Sequence, residues 1–305
     1  MTAAILTEAY AGLRAQARGL AEAAGLVPAE RTIVARAPWR RLPPELWPWP
    51  LAAIEPEAVA EPLPDMLIGC GGKAAAVLSA LSGPRRVIVQ HPRRAIRNFD
   101  LVVAARHDDL TGPNVLVTRT AIHAVTPARL AEAALMWRPR MARLPHPLVS
   151  VLVGGSNGRF RLGPAEGATL TAGLQKLLDA GAGLAITPSR RTDPAVVAQL
   201  ATLNPACAWL WDGAGDNPYL GLLACADLIV VTGDSVSMLS EAVATAAPVL
   251  VAALPGRSRR IGRFVGGLMA DGRVRPFEGR AEMWDVSPID DTPWAAAEMR
   301  RRLGF

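Results

Sequence analysis

The sequence predicts an α/β protein built from two doubly wound, Rossmann-like domains that face a cleft. Short, almost wholly apolar segments alternate with helical patterns along most of the chain, which is typical of parallel sheets covered by helices on both faces. This alternation breaks off near the middle of the chain and then starts again. The length of 305 residues is about twice that of an ordinary domain, which also favours two domains.

The first half is predicted to contribute six strands to the first domain, over residues 1–140. Its apolar, β-rich segments are AAILT (3–7), RTIVAR (31–36), DMLIGC (65–70), RVIVQ (86–90), DLVVAA (100–105) and NVLVT (114–118). Helical patterns follow the first and third of these segments, at GLRAQARGLAEAAG and GKAAAVLSALSG. Gly83 and Pro84 close the second helix, because neither residue favours its continuation.

The second half repeats this alternation after RPRMARLPHP (138–147), which is rich in Arg and Pro and predicts a linker. Strands are expected in a second domain over residues 148–290, at VSVLVGG, GLAITP, AWLW, DLIVVTG and PVLVAA. The end of the chain, DDTPWAAAEMRRRL, predicts a closing helix within residues 291–305. Asp291 or Thr292 is expected to cap this helix and Pro293 to start it.

Composition excludes several classes of protein. Half of the residues are hydrophobic and 20% are charged, which excludes a mainly disordered chain. The three cysteines lie far apart, so they predict neither a disulfide framework nor a zinc site, and they fit a reducing compartment. No signal peptide or membrane span is evident. We therefore expect a cytoplasmic protein, with a peripheral position at the inner face of the membrane as the alternative.

The positive charge is concentrated in the first half of the chain. Residues 1–146 contain 18 Lys and Arg against 12 Asp and Glu, whereas residues 147–305 contain 15 of each. This excess suggests an anionic partner, either an anionic acceptor or an anionic membrane, although basic runs are more often solvated faces. Nucleic acid is not expected, because the basic clusters lack interleaved aromatic side chains and no nucleic-acid-binding motif is recognisable. The arginines cluster at Arg85/Arg86, Arg93/Arg94/Arg97 and Arg138/Arg140/Arg143.

A glycine-rich turn follows the first strand of the second half. Glycine lets backbone N–H groups approach an anion closely, and the neighbouring polar side chains can add hydrogen bonds. The turn lacks the Gly-Lys-Ser/Thr ending of a P-loop, so a tight turn without a ligand is an equal alternative. A comparable turn in the first half, at Gly71, Gly72 and Lys73, offers a lysine to a phosphate or to water. The residues of the second-half turn are Gly154, Gly155, Ser156 and Asn157.

The segment VTGDSVSMLSEAVATAAPVLV predicts a strand, a polar turn, a helix and a further strand. Asp234 or Ser235 can cap the helix, whose N-terminal N–H groups and dipole favour a phosphate, and Ser237 lies in its first turn. Glu241, one to two turns further on, can then reach the diol of a ribose. The alternative for Glu241 is a solvated carboxylate on a helix surface. A polar turn at Asp216 and Asn217 opens the preceding helix.

Taken together, VLVGGSNG and DNPYLGLLACADLIVVTGDSVSMLSEAVATAAPVLV resemble the nucleotide-sugar half of the GT-B glycosyltransferases. The chain is more closely similar to the mitochondrial-fission family named for elongated plant mitochondria. Bacterial homologues of that family are often described as predicted nucleoside-diphosphate-sugar epimerases. Further matching segments include PDMLIGCGGKAA, VQHPR, FDLVVAARHDDLTGPNVLVTRTAIHAVTP, ITPSRRT and PIDDTPWAAAEMRRRL.

This resemblance implies a GT-B fold, a nucleoside-diphosphate sugar as donor and no other cofactor. It adds Ser189 and Arg190, in ITPSRRT, to the nucleotide-sugar site, and it places Arg93 of VQHPR on the cleft side of the first domain. The sequence departs from the family in its first loop, where Glu8 and Ala9 stand in place of Asp-Gly. In related transferases that loop contributes to acceptor binding and catalysis.

A glycosyltransferase that inverts the configuration of the anomeric carbon needs a base to deprotonate the acceptor hydroxyl. His91 follows the strand RVIVQ directly, so we expect it at the carboxyl end of a strand, where it is our candidate base; a structural loop role is the alternative. His107, Asp108 and Asp109 are adjacent in the chain and seldom converge on one ion, so no metal is predicted.

Three functions are consistent with these observations. The leading hypothesis is a nucleotide-sugar-binding, metal-independent glycosyltransferase-like protein with an unknown, membrane-associated acceptor. The rival is an adaptor that keeps the GT-B fold without catalysis, as the role of the plant relatives in organelle division suggests. The third is a sugar-nucleotide epimerase of the GT-B type, since the Tyr-x-x-x-Lys pair of the short-chain dehydrogenase type is absent.

Overall fold

The computed structural model describes residues 1–305, and the chain forms two compact units. The first unit comprises Met1–Ala124 together with Asp290–Phe305, and the second comprises Val125–Ile289. Each unit contains one six-stranded sheet with helices on both faces, so the predicted class of two doubly wound domains is confirmed.

The sheet of the first unit is parallel throughout and has the strand order β2-β1-β3-β4-β5-β6. One of its faces is packed against α1 and the other against α2 and the long segment between β2 and β3. The elements are β1 (Ala3–Thr7), α1 (Ala11–Ala23), β2 (Ala29–Thr32), β3 (Met66–Cys70), α2 (Gly72–Ala80), β4 (Arg85–Val89), β5 (Leu101–Ala105) and β6 (Val115–Thr118).

The second strand is the one element of this sheet that lies away from its predicted position. It covers Ala29–Thr32 rather than residues 31–36. Beyond it the chain turns away from β1, because Ala35 forms an isolated antiparallel bridge with Ile54 and the N–H of Arg36 donates to the carbonyl of Ala53. The β-branched run that suggested a longer strand is therefore used in a local antiparallel contact.

The sheet of the second unit is also parallel, with the order β12-β11-β10-β7-β8-β9. This is the Rossmann order: β7, β8 and β9 are added toward one side of the sheet, and β10, β11 and β12 toward the other, so the order of the strands reverses between β7 and β10. The elements are α3 (Pro127–Met141), β7 (Leu148–Val153), α4 (Pro164–Asp179), β8 (Gly183–Pro188), α5 (Pro194–Leu200), β9 (Ala208–Leu210), α6 (Tyr219–Cys225), β10 (Leu228–Thr232), α7 (Val236–Val243), β11 (Val249–Ala252), α8 (Arg259–Ala270) and β12 (Val274–Pro276).

The division between the units falls earlier than the expected boundary at residues 140–148. The first four residues of the segment interpreted as a linker belong to α3, which ends at Met141 and contains Pro139 in its last turn. The side chain of Trp137 is buried, and it packs against α6 so closely that a Cβ on Gly221 would lie 2.2 Å from its ring. This aromatic anchor places α3 in the second unit.

The closing helix α9 (Thr292–Leu303) belongs to the first unit. Ala295, Ala296 and Met299 are buried in the same core cluster as α1, and Arg300 Nη1 donates to the carbonyl of Ala24 at 2.7 Å. Asp291 is its N-cap residue and Pro293 lies in its first turn, as expected, but the Asp291 side chain makes no capping hydrogen bond. Asp290 Oδ1 accepts the N–H of Thr292, whereas the carboxylate of Asp291 is bonded to Arg119.

No helix of the chain is long and apolar enough to cross a membrane. Nor do three or more His, Cys, Asp or Glu side chains come together in a group that could hold a metal ion.

Candidate functional site

Two polar turns meet at the point where the second sheet reverses its winding. One follows β7 and the other follows β10, and both lie at the carboxyl ends of these adjacent strands. Thr232, the last residue of β10, accepts the N–H of Gly154 at 2.7 Å and donates to Asp234 Oδ1 at 2.7 Å. The turns that the sequence predicted at one edge of the sheet are thus bonded to each other at the position where doubly wound folds bind ligands.

Asp234 is the link between these turns. Its side chain is fully buried, and Oδ2 accepts the N–H of Gly155 at 3.2 Å and Nη2 of Arg191 at 3.0 Å. The Nη1 of Arg191 also donates to the carbonyl of Gly155 at 3.2 Å. Both carboxylate oxygens are therefore occupied by protein groups. The expectation that Asp234 contacts a nucleotide is corrected: it holds the site together from beneath.

The two glycines after β7 are required by this packing. A Cβ on Gly154 would lie 2.1 Å from Asp234 Oδ1, and a Cβ on Gly155 would lie 2.1 Å from the carbonyl oxygen of Arg191. Their N–H groups already donate to Thr232 and Asp234. The expectation that these N–H groups approach an anion is therefore also corrected, because the glycines make room for a buried carboxylate and an arginine.

Ser156 and Asn157 fold their own loop. Ser156 Oγ accepts the N–H of Leu162 at 2.9 Å and donates to its carbonyl at 3.2 Å. Asn157 Oδ1 accepts the N–H groups of Arg159 and Phe160 at 2.9 and 3.0 Å. Both side chains close the exposed turn that leads into α4, and this use by the backbone explains their residue types without a ligand.

The N-terminus of α7 lies directly beyond Asp234. Ser235 is its N-cap, and its Oγ accepts the N–H of Met238 at 3.3 Å, as the sequence predicts. Ser237 lies in the first turn, and Ser235 and Ser237 are both half-buried. The remaining N–H groups of this turn and the helix dipole favour a negative charge at this end of α7.

Glu241 lies further along the same helix and is not a solvated carboxylate. It is half-buried, and Oε2 accepts a short hydrogen bond from the hydroxyl of Tyr219 at the start of α6. Burial raises the pKa of Glu241 to about 7, although the Tyr219 hydrogen bond opposes this shift. Burial and then the charge of Glu241 raise the pKa of Tyr219 well above 10, so Tyr219 remains a hydrogen-bond donor. The second oxygen, Oε1, has no protein partner.

The turn after β8 brings a cation to the same edge. Ser189 is used locally, since its Oγ accepts the N–H of Arg191 and lies 3.1 Å from Thr192 Oγ1. Thr192 Oγ1 also donates to the carbonyl of Gly154 at 2.5 Å, which joins this turn to the one after β7. Arg191, which the sequence does not single out, is bonded to Asp234, whereas the predicted Arg190 is exposed and its guanidinium makes no hydrogen bond or ion pair.

Asp216 and Asn217 lie at the start of α6 and organise that end of the helix. Asn217 Oδ1 accepts the N–H of Tyr219 at 3.0 Å, which fixes the tyrosine that binds Glu241. Asp216 is exposed and pairs with Arg140 of α3 at 3.1 Å. Their contribution to the site is the placement of Tyr219, for which the sequence signal was the Asx-type turn before an aromatic residue.

In the first unit, the corresponding edge of the sheet carries a closed ion pair. Gly71 adopts a positive φ of 93° and caps α2, and Gly72 begins that helix. Lys73 Nζ donates to Glu8 Oε1 at 2.7 Å, and both side chains are about one-fifth exposed. Lys73 is therefore paired within the protein, and its contact with a phosphate stays a prediction. Its charge is neutralised by the residue that departs from the family pattern.

His91 lies at the carboxyl end of β4, where the sequence predicts it. Its Nδ1 accepts the N–H of Arg93 at 2.9 Å, so the neutral ring carries its proton on Nε2. A ring in this tautomer can donate from Nε2 but cannot accept a proton there, which does not suit the general base that we expected. Arg93 has a positive φ of 52°, and its Nη1 pairs with Glu45 at 3.1 Å.

Arg273 holds the far end of α7. This buried guanidinium donates from Nε to the carbonyl of Val243, at 3.2 Å, and from Nη2 to the carbonyls of Thr245 and Ala247, at 2.7 and 3.0 Å. Burial lowers the pKa of Arg273 to about 10, so it stays charged at neutral pH. A cation at a helix C-terminus complements the dipole. The helix that carries Glu241 is therefore fixed at both ends.

The chain consists of two doubly wound units, and the second has polar turns at the carboxyl edge of its sheet, where such folds bind ligands. This is the architecture of GT-B proteins. The chain is similar in fold to a UDP-GlcNAc 2-epimerase from Methanocaldococcus jannaschii, with a TM-score of 0.58, 11% identity and 99% coverage of both chains. It is also similar to the glycosyltransferase SnogD from Streptomyces nogalater, with a TM-score of 0.54, 17% identity, and coverage of 99% of this chain and 94% of that one.

The chain belongs to the mitochondrial fission ELM1 family, whose model matches residues 11–303. It is 33% identical over 278 residues to the mitochondrial fission protein ELM1 of Arabidopsis thaliana. This match covers 79% of the chain and 64% of the plant protein, so the chain spans somewhat less than two thirds of that relative.

Proposed function

We propose that the second unit binds a nucleoside-diphosphate sugar, with the diphosphate at the N-terminus of α7 and the ribose diol at Glu241. One observation carries the proposal. Glu241 is half-buried with its Oε1 unoccupied, on the same helix whose N-terminus lies at the reversal point of the sheet. Burial disfavours the charged form of this carboxyl group, so its position costs folding free energy. Such a cost is typical of a residue kept for binding a ligand.

Two further features of the second unit can bind the phosphate groups of this ligand. The first turn of α7 supplies N–H groups and the hydroxyl of Ser237, and Arg190 supplies a cation with no protein partner. The buried bonds among Asp234, Arg191 and Gly155 keep these groups in place without contacting the ligand. This arrangement needs no metal ion to hold the diphosphate.

The activity that we propose is transfer of the sugar to a membrane-associated acceptor. The acceptor oxygen forms a bond to the anomeric carbon, and the bond from that carbon to the diphosphate breaks, the electron pair leaving with the diphosphate. The proton of the acceptor hydroxyl passes to a general base.

A second candidate function is an adaptor without catalysis. It is favoured by the closed state of groups that would otherwise meet a ligand, since Ser156 and Asn157 fold their own loop and Lys73 is paired with Glu8. The name of the family, which refers to mitochondrial fission, agrees with such a role. The third candidate is an epimerase, and one protein of similar fold, from Methanocaldococcus jannaschii, is a UDP-GlcNAc 2-epimerase.

Calorimetric titration with uridine diphosphate tests the binding site. Glu241→Ala removes charge-assisted hydrogen bonds of about 1.5 to 3 kcal/mol each, so affinity should fall roughly ten- to a hundredfold. Tyr219→Phe separates the roles of the pair, because it removes only the hydrogen bond between the two side chains. Glu132→Ala, at an exposed glutamate on α3 of the same unit, is the matched control and should bind as the wild type does.

If wild-type protein binds uridine diphosphate and Glu241→Ala binds it equally well, the assignment of Glu241 is wrong. Chromatography of reactions with donor sugar nucleotides then distinguishes the three functions. A transferase releases nucleoside diphosphate only when a lipid extract supplies the acceptor, and an epimerase interconverts two sugar nucleotides without one. An adaptor yields no product with any donor.

A further inference from the structure

An apolar loop is exposed on the first unit, between β2 and β3. We call residues 38–51, PWRRLPPELWPWPL, the tryptophan loop. Leu42, Leu46 and Trp49 in this loop are 41%, 65% and 68% exposed. Single exposed apolar residues are ordinary on a protein surface, but three of this size within eight residues of chain form a feature that calls for a partner.

The tryptophan loop is built into the fold rather than left without contacts. Trp47 is 2% exposed, belongs to the core cluster of one face of the sheet, and donates from Nε1 to the carbonyl of Trp39 at 3.2 Å. Two 3-10 turns, Trp39–Arg41 and Pro44–Leu46, shape the rest of the loop. The buried tryptophan anchors the loop, and its exposed neighbours are thereby presented to the solvent.

Positive charge surrounds these apolar side chains. Arg40 and Arg41 lie in the loop, are exposed and have no ion-pair partner. Arg94 Nη2 donates to the carbonyl of Pro44 at 2.6 Å, so the basic loop after β4 lies against the tryptophan loop. Together, residues 36–51 and 91–97 contain six arginines and one glutamate. Two of these arginines are paired, Arg36 with Glu55 and Arg93 with Glu45, whereas Arg40 and Arg41 are not.

The other basic clusters of the chain are different. Arg86 pairs with Asp100 at 3.6 Å and donates to the carbonyl of Leu81, while Arg140 pairs with Asp216 and stacks on the ring of Trp137, 4.6 Å from its centroid. These arginines are used by the protein itself. The combination of unpaired arginines with exposed tryptophan and leucine occurs at the tryptophan loop.

We propose that the tryptophan loop docks the protein on an anionic membrane surface. Tryptophan and leucine side chains partition into the boundary between headgroups and acyl chains, and arginines bind the phosphates of anionic lipids. Charge complementarity identifies this occupant, because an apolar partner protein would not require unpaired arginines around its contact. The inference does not depend on nucleotide binding, since all of its residues lie in the first unit.

The position of the tryptophan loop has a functional consequence. A Cβ on Gly72 would lie 3.6 Å from Cγ of Pro44, so the loop borders the carboxyl edge of the first sheet. Docking through this loop therefore brings that edge, with Glu8 and Lys73, close to the lipid headgroups.

Sedimentation with vesicles tests the proposal on the full chain. Wild-type protein should bind vesicles of phosphatidylcholine mixed with phosphatidylglycerol and should bind pure phosphatidylcholine much more weakly. The double variant Arg40→Gln/Arg41→Gln should reduce partitioning into anionic vesicles roughly 30-fold, since each arginine near such a surface contributes about 1 kcal/mol. Leu46→Ser/Trp49→Ser should reduce it roughly tenfold or more at any salt concentration.

Matched controls change the same residue types elsewhere on the surface. Arg143→Gln/Arg257→Gln and Leu135→Ser/Trp294→Ser alter exposed side chains outside the tryptophan loop and should bind vesicles as the wild type does. Circular dichroism of every variant checks that the fold is kept. Equal losses in loop and control variants would overturn the proposal, as would binding that is indifferent to anionic lipid. Concentration-dependent dimers abolished by Leu46→Ser/Trp49→Ser, without vesicle binding, would instead assign the loop to a second copy of the chain.

Discussion

The carboxyl edges of the two sheets are built from similar parts but are used differently. At the edge of the second sheet, the buried carboxylate of Asp234 joins two turns. The N-terminus of α7 lies directly beyond it, and Oε1 of Glu241 remains without a protein partner there. At the edge of the first sheet, the glycine turn is followed by Lys73, whose charge is cancelled by Glu8. The same fold therefore provides an edge with unpaired polar groups in one unit and a self-neutralised edge in the other.

A glycine-rich turn at the end of a strand is therefore not by itself an anion site. In the second unit, the glycines serve Asp234 and Arg191, and the groups that remain for a ligand lie on the following helix. In the first unit, the lysine of the turn is satisfied within the protein. What distinguishes the two edges is which polar groups are left without a protein partner.

Asp234→Ala should have the largest effect, because it removes the carboxylate that joins the two turns of the second edge. This change leaves the N–H of Gly155, the hydroxyl of Thr232 and the guanidinium of Arg191 without their acceptor, so the free energy of unfolding should fall by about 3 kcal/mol. Chemical denaturation followed by circular dichroism measures this loss. Asp179→Ala, at an exposed aspartate of α4, is the control and should change little. A loss below about 1 kcal/mol for Asp234→Ala would show that the two turns are held by other contacts.

A second test uses pH at Glu241. Because its pKa in the folded protein is about 7, uridine diphosphate should bind more tightly as the pH rises to 7, by up to about tenfold per pH unit, and then level off. Glu241→Gln cannot ionise, so calorimetry of this variant isolates the pH dependence of the ligand itself. Identical pH profiles for the two proteins would mean that the charged carboxylate is not the group that binds.

The same shift has a consequence for stability, with the opposite sign. The pKa of Glu241 is raised in the folded state from its ordinary value of 4.5, so its contribution is fully present below pH 4.5 and is lost as the pH rises to about 7. Relative to Glu241→Gln, the wild-type protein should therefore lose stability across this interval. Melting temperatures measured at several pH values check the direction.

The smallest effect is expected at the first edge. Glu8→Gln and Lys73→Ala each break a partly exposed ion pair, so each should cost about 1 kcal/mol or less and leave the affinity for uridine diphosphate unchanged. Lys176→Ala, at an exposed lysine on α4, is the matched control. If Lys73→Ala weakened nucleotide binding tenfold, the contrast between the two edges would fail.

Most of the fold could be predicted because its strands are buried on both faces and therefore appear as short apolar segments. The exceptions were elements without that signal. The strand Val274–Pro276 is three residues long and contains Arg275, and α3 extends through Pro139 into a segment that looks like a linker. Its anchor, Trp137 against Gly221, joins residues far apart in the chain and could not be deduced from local pattern.

The candidate site could be located from the sequence, but the roles within it could not be assigned. The order of strands and turns predicted which edge carries the polar groups. Whether Asp234 faces a ligand or the core depends on its distance from Gly155 and Arg191, which only the folded backbone fixes. Tyr219 was missed for the same reason, since its contact with Glu241 joins two separate helices.

The return of the last helix to the first unit bears on the order in which the protein folds during synthesis. The core of the first unit includes Ala295, Ala296 and Met299, which leave the ribosome after every residue of Val125–Ile289. The second unit, although it comes later in the chain, is the first to possess all of its residues. Until α9 is made, the part of α1 that packs against it is exposed, and exposed apolar surface of this kind favours binding of a chaperone to the nascent chain.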